Sequence, residues 1–344
     1  MRPYPDRITG TMRPTSLLIG MCVCLAVASA EEPAAPRSNT SGLTITQTAA
    51  VASAIAPANS VRLAYKFRSG QFVHYAGANR IRYDSQLGKD RLGENIRYVT
   101  RQSNETESHF RVVTVDEAGL ALIEPVVDRT RMVARMHDRP PVVFDSDSKV
   151  EPPPEFRAVR DAIGKPIARF QVAPNGKLIK ALVIAQNAPA SLREAAEKLE
   201  ARFAFLPILP TAPVSVGDKW REEFSVMALN EGLKQPIPIR RIFELTGLAD
   251  GIAIIKFKTL AMIPINDPEL SKQLIQQTPT GSIEFDIERG LVHSYTSIIN
   301  QTAINALGSE TVLQVAGEAT EKLVSIDGAA IATSLTESPT TSTP

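Results

Sequence analysis

The sequence predicts a mainly β (α+β) protein: two related, curved antiparallel sheets, each with a short helix, and one further helix linking them. Three observations lead there. Apolar and polar residues alternate through the middle of the chain and are punctuated by glycine. Helical periodicity is confined to short stretches, and the motifs before residue 206 return in the same order after it.

Before that point stand Ser69-Gly70-Gln71-Phe72, then Glu117-Ala118-Gly119 leading into an apolar run, Pro154-Glu155-Phe156, and Arg169-Phe170-Gln171-Val172 with Asn175-Gly176-Lys177-Leu178. After it come Val216-Gly217-Asp218-Lys219-Trp220, Ala249-Asp250-Gly251 with its own apolar run, Pro268-Glu269-Leu270, and Glu284-Phe285-Asp286-Ile287 with Arg289-Gly290-Leu291-Val292. The separation of matched glycines shrinks along the chain, from Gly70/Gly217 to Gly119/Gly251 to Gly176/Gly290. A solenoid holds its period constant. The pattern instead implies two copies of a domain-sized unit, residues 61–210 and 211–327.

The chain opens with Arg2, Arg7 and Arg13, an apolar run over 17–27, and Ala28-Ser29-Ala30. Basic residues, a short apolar stretch and a small-residue site describe a secretory signal peptide over 1–30, with Met12 as an alternative start. The run is too short to span a bilayer of about 30 Å. The expected location is therefore periplasmic or extracellular, with no transmembrane segment after cleavage. Both cysteines, Cys22 and Cys24, fall inside this segment. Met21 and Val23 precede them, rather than the small residues that lipid attachment favours. The remainder then has neither disulfides nor thiolate metal sites.

Removing the segment leaves 35 basic side chains (38 less Arg2, Arg7 and Arg13) against 36 acidic ones (37 less Asp6). A near-neutral balance of interspersed signs excludes the basic face that nucleic acid demands. Residues 31–60 and 328–344 are rich in Ala, Ser, Thr and Pro, and read as a flexible leader and tail.

Strands are expected over 110–115 and 120–127, separated by an Asp116 to Gly119 turn, and over 252–263, where Lys256 and Lys258 alternate with Ile255 and Phe257. Asn175-Gly176 reads as a type I′ hairpin turn, with Arg289-Gly290 in the matching place. One helix is expected over 154–163, closed by Gly164. A second over 268–276 takes Asp267 as its N-cap. A third over 191–204 has no counterpart: Ser191 and Glu194 form a capping box, and Leu192, Leu199 and Phe203 share its apolar stripe. Leu206-Pro207-Ile208-Leu209-Pro210 cannot continue that helix and reads as an extended linker.

Val142-Val143-Phe144-Asp145-Ser146, the segment ending at Gly164, the Leu-Pro run before Val216-Gly217-Asp218-Lys219-Trp220, and Phe285-Asp286-Ile287 with Gly290-Leu291-Val292 together resemble a family of uncharacterised secreted proteins of planctomycete-type bacteria. The resemblance covers about 61–302 and implies no catalytic residues. The overall pattern is also similar in architecture to the curved half-barrels of periplasmic lipoprotein carriers.

No motif supports an enzyme. There is no Gly-x-Ser-x-Gly elbow, and Gly281-Ser282 precedes a strand rather than a strand-to-helix turn. His74, His109, His137 and His293 lack the i, i+4 spacing that gathers imidazoles around zinc. His74 and His293 sit on predicted strands and meet only if two sheets pack face to face. Asp145-Ser146-Asp147-Ser148 offers oxygen ligands, yet lacks the Gly and Glu of an EF-hand and reads as a turn. Gly217 and Asp218 form the turn that delivers Trp220, the single tryptophan, as a core anchor, while Gly176 and Gly290 are turn residues. No cofactor is implied.

Two function classes follow. One is a noncatalytic envelope carrier holding a lipid or other apolar ligand under the unpaired helix, with Leu199 and Phe203 facing it; large apolar side chains on a concave face would mark it. The other is a structural module binding an envelope protein through an apolar patch or free strand edge. An unrecognised hydrolase is the remaining alternative.

Overall fold

In a computed structural model, the protein is described over residues 60–89, 93–137, 139–166, 168–183, 206–230 and 233–327. Twelve strands form one antiparallel sheet: β1 (Phe72–Lys89), β2 (Asn95–Val115), β3 (Ala121–Met136), β4 (Val142–Asp145), β5 (Ala168–Val172), β6 (Leu178–Val183), β7 (Lys219–Asn230), β8 (Leu233–Ala249), β9 (Ile252–Ala261), β10 (Thr280–Asp286), β11 (Leu291–Ile304) and β12 (Val312–Asp327). The two helices are short: α1 (Arg157–Ala162), entered through a 3-10 turn at Pro154–Phe156, and α2 (Pro268–Leu274). The helix expected over 191–204, with Leu199 and Phe203, lies outside the described residues.

The two expected sheets are one. Its order is β6-β5-β3-β2-β1-β12-β11-β10-β9-β8-β7, with β4 paired to β3. On one side of β12 the strands run β6-β5-β3-β2-β1, and on the other β11-β10-β9-β8-β7. Each group has its helix in the connection before its last hairpin, α1 between β4 and β5 and α2 between β9 and β10. β12 is the extra strand that pairs with β1 on one edge and β11 on the other.

The sheet curls, and two extended segments seal one end. Leu209 donates its N–H to Asn175 O in the β5–β6 turn (2.8 Å), while the adjacent Ile208 O accepts from Trp220 Nε1 on β7 (2.8 Å). Opposite edges of the strand order are thus held by neighbouring residues, without pairing to each other. The other segment, 61–67, pairs Val61 with Val214. Tyr65 N–H donates to Pro174 O (2.7 Å) and Lys66 N–H to Gly290 O (3.2 Å), reaching the corresponding turns of both strand groups. Leu63, Tyr65, Phe67, Leu206 and Leu209 join Phe110, Phe170, Phe243, Ile255 and Phe285 in one core spanning both groups. At the other end α2 lays Leu270 and Leu274 on Ile237 and Ile239. Ile275, next to it, meets Tyr83, Ile299 and Leu313. Asp267 caps this helix, its Oδ1 accepting from Glu269 N–H (2.9 Å).

The Asn175-Gly176 turn departs from type I′. Gly176 N–H closes back on Ala173 O (2.8 Å), only Gly176 has positive φ (+83°), and the β5–β6 register shifts between Gln171 and Val172. Pro174 presets the first central residue for an ordinary type I turn, which needs a left-handed glycine after it. A Cβ at Gly176 would stand 2.6 Å from Pro207 O and 2.7 Å from the Tyr65 ring. Gly290 is similarly tight, 2.5 Å from Lys66 N.

Gly251 has a comparable φ of +76° but open space around its missing Cβ. Gly251→Ala is expected to cost about 1–2 kcal/mol from conformation alone. Gly176→Ala should cost about 2 kcal/mol more, because overpacking adds to the same strain. Urea unfolding midpoints of the two variants check the difference; equal losses would mean that the sealing segment yields without penalty.

Candidate functional site

The face carrying the core is the inner face. Along the middle of β1, β2 and β12 it changes character. Register aligns Thr106, Gly77 and Glu321 in one row, Asn104, Asn79 and Ala319 in the next, and Gln102, Ile81 and Gly317 in the third. All but Ala319 are half-buried. Tyr75 and Phe110 on one side of this patch, and Tyr83 and Val315 on the other, are buried. An inward face that is packed at both ends and accessible between them is a recess. Its floor is flat at Gly77, where a Cβ would meet nothing nearer than backbone oxygens at 3.4 Å and 4.0 Å.

Glu321 lies at the edge of this recess, between Gly77 and Tyr295 in the strand register. Its Oε2 is shielded from water and has no hydrogen-bond partner among the described residues. Desolvation disfavours the charged form, and pushes its pKa from the ordinary 4.5 up to about 7. Tyr75 is fully engaged, its hydroxyl donating to Val292 O (2.9 Å); burial, and secondarily the Glu321 charge, raises its pKa well above the ordinary range. Across the sheet, Arg241 is held between the Phe224 and Phe257 rings at 5.5 Å and 5.4 Å, and lies 3.9 Å from Glu222. That cation is therefore satisfied without Glu321.

The outer face brings two histidines together. His74 on β1 stands opposite His109 on β2, with ring centroids 5.2 Å apart. His109 Nδ1 lies 2.8 Å from Asp128 Oδ2 on β3, and His74 Nε2 is 3.0 Å from Asp327 Oδ2 on β12. One donor atom each from His74, His109 and Asp128 lies within 4.8 Å of the others. His293 is exposed on β11; His74 meets His109 instead, through one sheet rather than two. The signal was in the spacing: both residues are nearly equidistant from the short connection between β1 and β2, so antiparallel register alone juxtaposes them.

Other expected residues hold structure. Trp220 stacks on Phe243 (5.5 Å, 12°). Gly217 N–H donates to Leu245 O (2.7 Å), and Asp218 Oδ2 accepts from Ser215 N–H (2.8 Å). In the Asp145 cluster, Ser148 N–H bonds Asp145 O (3.0 Å) and Asp147 pairs with Arg129 (2.6 Å), which is turn chemistry. A separate groove of about 380 Å³ lies beside β6 and is lined by Leu122, Arg169, Gln171, Lys180 and Leu182. Arg169 there is tied to Glu124 at 2.5 Å. Among the described residues no helix is long and apolar enough to cross a membrane.

No family model matches the chain, and no curated protein does. The planctomycete-type resemblance therefore rests on short motifs alone. Among solved structures, lipovitellin is similar over 76% of this chain at 11% identity and a TM-score of 0.40; the chain spans about a quarter (26%) of that protein. DynF from the dynemicin biosynthesis pathway of Micromonospora chersina gives 8% identity and 0.19, covering 81% of this chain and 92% of its own. A deltaS2 mutant of the TodX monoaromatic hydrocarbon channel gives 9% and 0.26, covering 75% and 91%. Likeness this distant carries no function, and the site stands on its own residues.

Glu321 sets a pH dependence. Folded, it keeps its proton up to about pH 7; unfolded, it releases it near 4.5. The folded state thus binds more protons across that window, and stability falls as pH rises through it. Thermal unfolding from pH 4.5 to 8 should show a steeper decline for the native protein than for Glu321→Gln, with the variant more stable above pH 7. Parallel curves would mean that the carboxylate finds a partner.

Proposed function

We propose that the protein is a noncatalytic binding protein of the cell envelope that holds an amphipathic ligand in the inner-face recess. The observation that carries this is the unpartnered, water-shielded Glu321 oxygen beside an accessible patch on an otherwise packed face. A buried polar group without a partner is costly, and a ligand donor at that point removes the cost.

The expectation of a lipid or other apolar ligand is narrowed by the lining. The large apolar side chains of the inner face are covered by residues 61–67, 206–214 and α2, and what stays accessible is rich in amides: Asn79, Gln102 and Asn104. Apolar footing is limited to Ile81 and, on β3, the half-buried Met132 and Ala134 opposite Asn104 and Gln102. A ligand with a hydrogen-bond donor at one end and a hydrocarbon part beyond it matches both. The export signal read at residues 1–30 supports an envelope location.

Binding of monoolein, dodecylamine and oleate, followed by native mass spectrometry and thermal shift, tests the reading. At pH 8, where Glu321 and oleate are both ionised, the alcohol and the amine should bind and oleate should not, because a second carboxylate meets Glu321 with no donor. Gly77→Phe, which fills the recess, should abolish binding while leaving far-ultraviolet circular dichroism unchanged, and Glu321→Gln should weaken the amine at least about tenfold, the loss of a charge-assisted bond. No binding by any of the three, or binding indifferent to Gly77→Phe, overturns it.

A further inference from the structure

We infer that His74, His109 and Asp128 form a binding site for a divalent transition-metal ion of the zinc class, with a carboxylate oxygen of Asp327 as its fourth donor. This is independent of the recess, which lies on the opposite face.

The donor set comes first. Two imidazoles and two carboxylates are a nitrogen–oxygen set that suits zinc, cobalt or nickel, and is poor for magnesium or calcium, which take oxygen alone. Two acidic groups also neutralise a doubly charged ion. The geometry comes next. Each residue sits on a strand, on β1, β2, β3 and at the end of β12, with Asp128 at the bulge between the Glu107–Arg129 and Ser108–Val127 pairs, so the site is assembled by strand pairing rather than by a loop. Donors about 2.1 Å from zinc in a tetrahedron stand about 3.4 Å apart. The three atoms already lie within 4.8 Å, and rotation about the side-chain bonds of His74 and Asp128 closes the rest without moving a strand.

Ion-free, the same residues make two His–Asp pairs, His109 with Asp128 and His74 with Asp327. That arrangement leaves the two rings side by side with no bond between them. A metal ion between them supplies one. Phe72 packs beside His109 at 5.7 Å and fixes that ring from the side. The site is also accessible, with side-chain exposures of 32% for His74 and 18% for His109, so an ion needs no opening of the fold. Because its donors span four neighbouring strands, an ion there would fasten β12 to the β1–β2–β3 group.

The untagged protein, stripped with EDTA, is titrated calorimetrically with Zn(II), Co(II) and Mg(II). One equivalent of Zn(II) and of Co(II) should bind and Mg(II) should not, with the cobalt complex showing the intense visible bands of a four-coordinate site. Zn(II) should raise the unfolding temperature by mass action on the folded state. His74→Asn and His109→Asn should each abolish both signals with circular dichroism unchanged, and Asp128→Asn should weaken binding about 10–100-fold. Asp327→Asn, at the exposed strand end, gives a smaller loss and guards against misfolding of the others. No uptake of Zn(II), or uptake that persists in His74→Asn and His109→Asn, overturns the assignment: the histidines are then ion-paired residues and any zinc sits elsewhere.

Discussion

A wide sheet with one apolar face has to cover that face, and here two extended segments and a two-turn helix do so. The decisive contact is the pair of hydrogen bonds made by the neighbours Ile208 and Leu209, one to Trp220 and one to Asn175. They hold opposite edges of the strand order together without pairing them. Burial at about 25 cal/mol per Å² of apolar surface then accrues to both groups of strands at once, since Tyr65, Phe67 and Leu209 belong to one core that draws side chains from both. Tyr65 shows how polar atoms are accommodated in this seal: its hydroxyl donates to Pro207 O (2.8 Å) while its ring meets Phe67 and Phe285.

With both ends occupied, the middle of the sheet is where chemistry is left over. The inner recess and the outer histidine cluster share β1, β2 and β12, and so the seam between the two strand groups carries both. Elsewhere on the inner face small residues admit large neighbours: a Cβ on Gly281 would collide with Thr296 O and the Phe257 ring. Gly77 differs because nothing rests on it. The same residue type thus marks tight packing in one strand and vacancy in another, which only the fold separates.

Much of the local structure was legible. Asp267, Leu270 and Leu274 announce a capped helix with one buried stripe, Lys256 and Lys258 alternate with Ile255 and Phe257 as written, and the recurring glycines mark turns. What was hidden depends on pairing between distant residues. β1 meets β12 because Gln86 finds Val312 and Phe72 finds Asp327, and no local pattern encodes partners so far apart. The Asn-Gly turn misled because Pro174 selects another turn type. Nothing in Ala319-Thr320-Glu321-Lys322 singles out Glu321, since period-two alternation gives no sign of which face is dry. The His74–His109 pair needed only the hairpin register, a step available from the turn position but lost when each histidine is judged alone.

The place of β12 bears on how the chain reaches this state. Among the described strands it comes last in the sequence, yet it lies in the interior of the order, between the first strand and the one before it. Strands β1 to β11 can form hairpins as they appear, but the two groups stay unjoined until residues 312–327 arrive to bridge them. Closing that span is entropically dear and intrinsically slow. Until then β1 and β11 both present long unsatisfied edges, which are templates for self-association. The completing strand therefore acts as a late checkpoint: a chain interrupted before residue 312 is not a slightly shorter protein but two adhesive half-sheets.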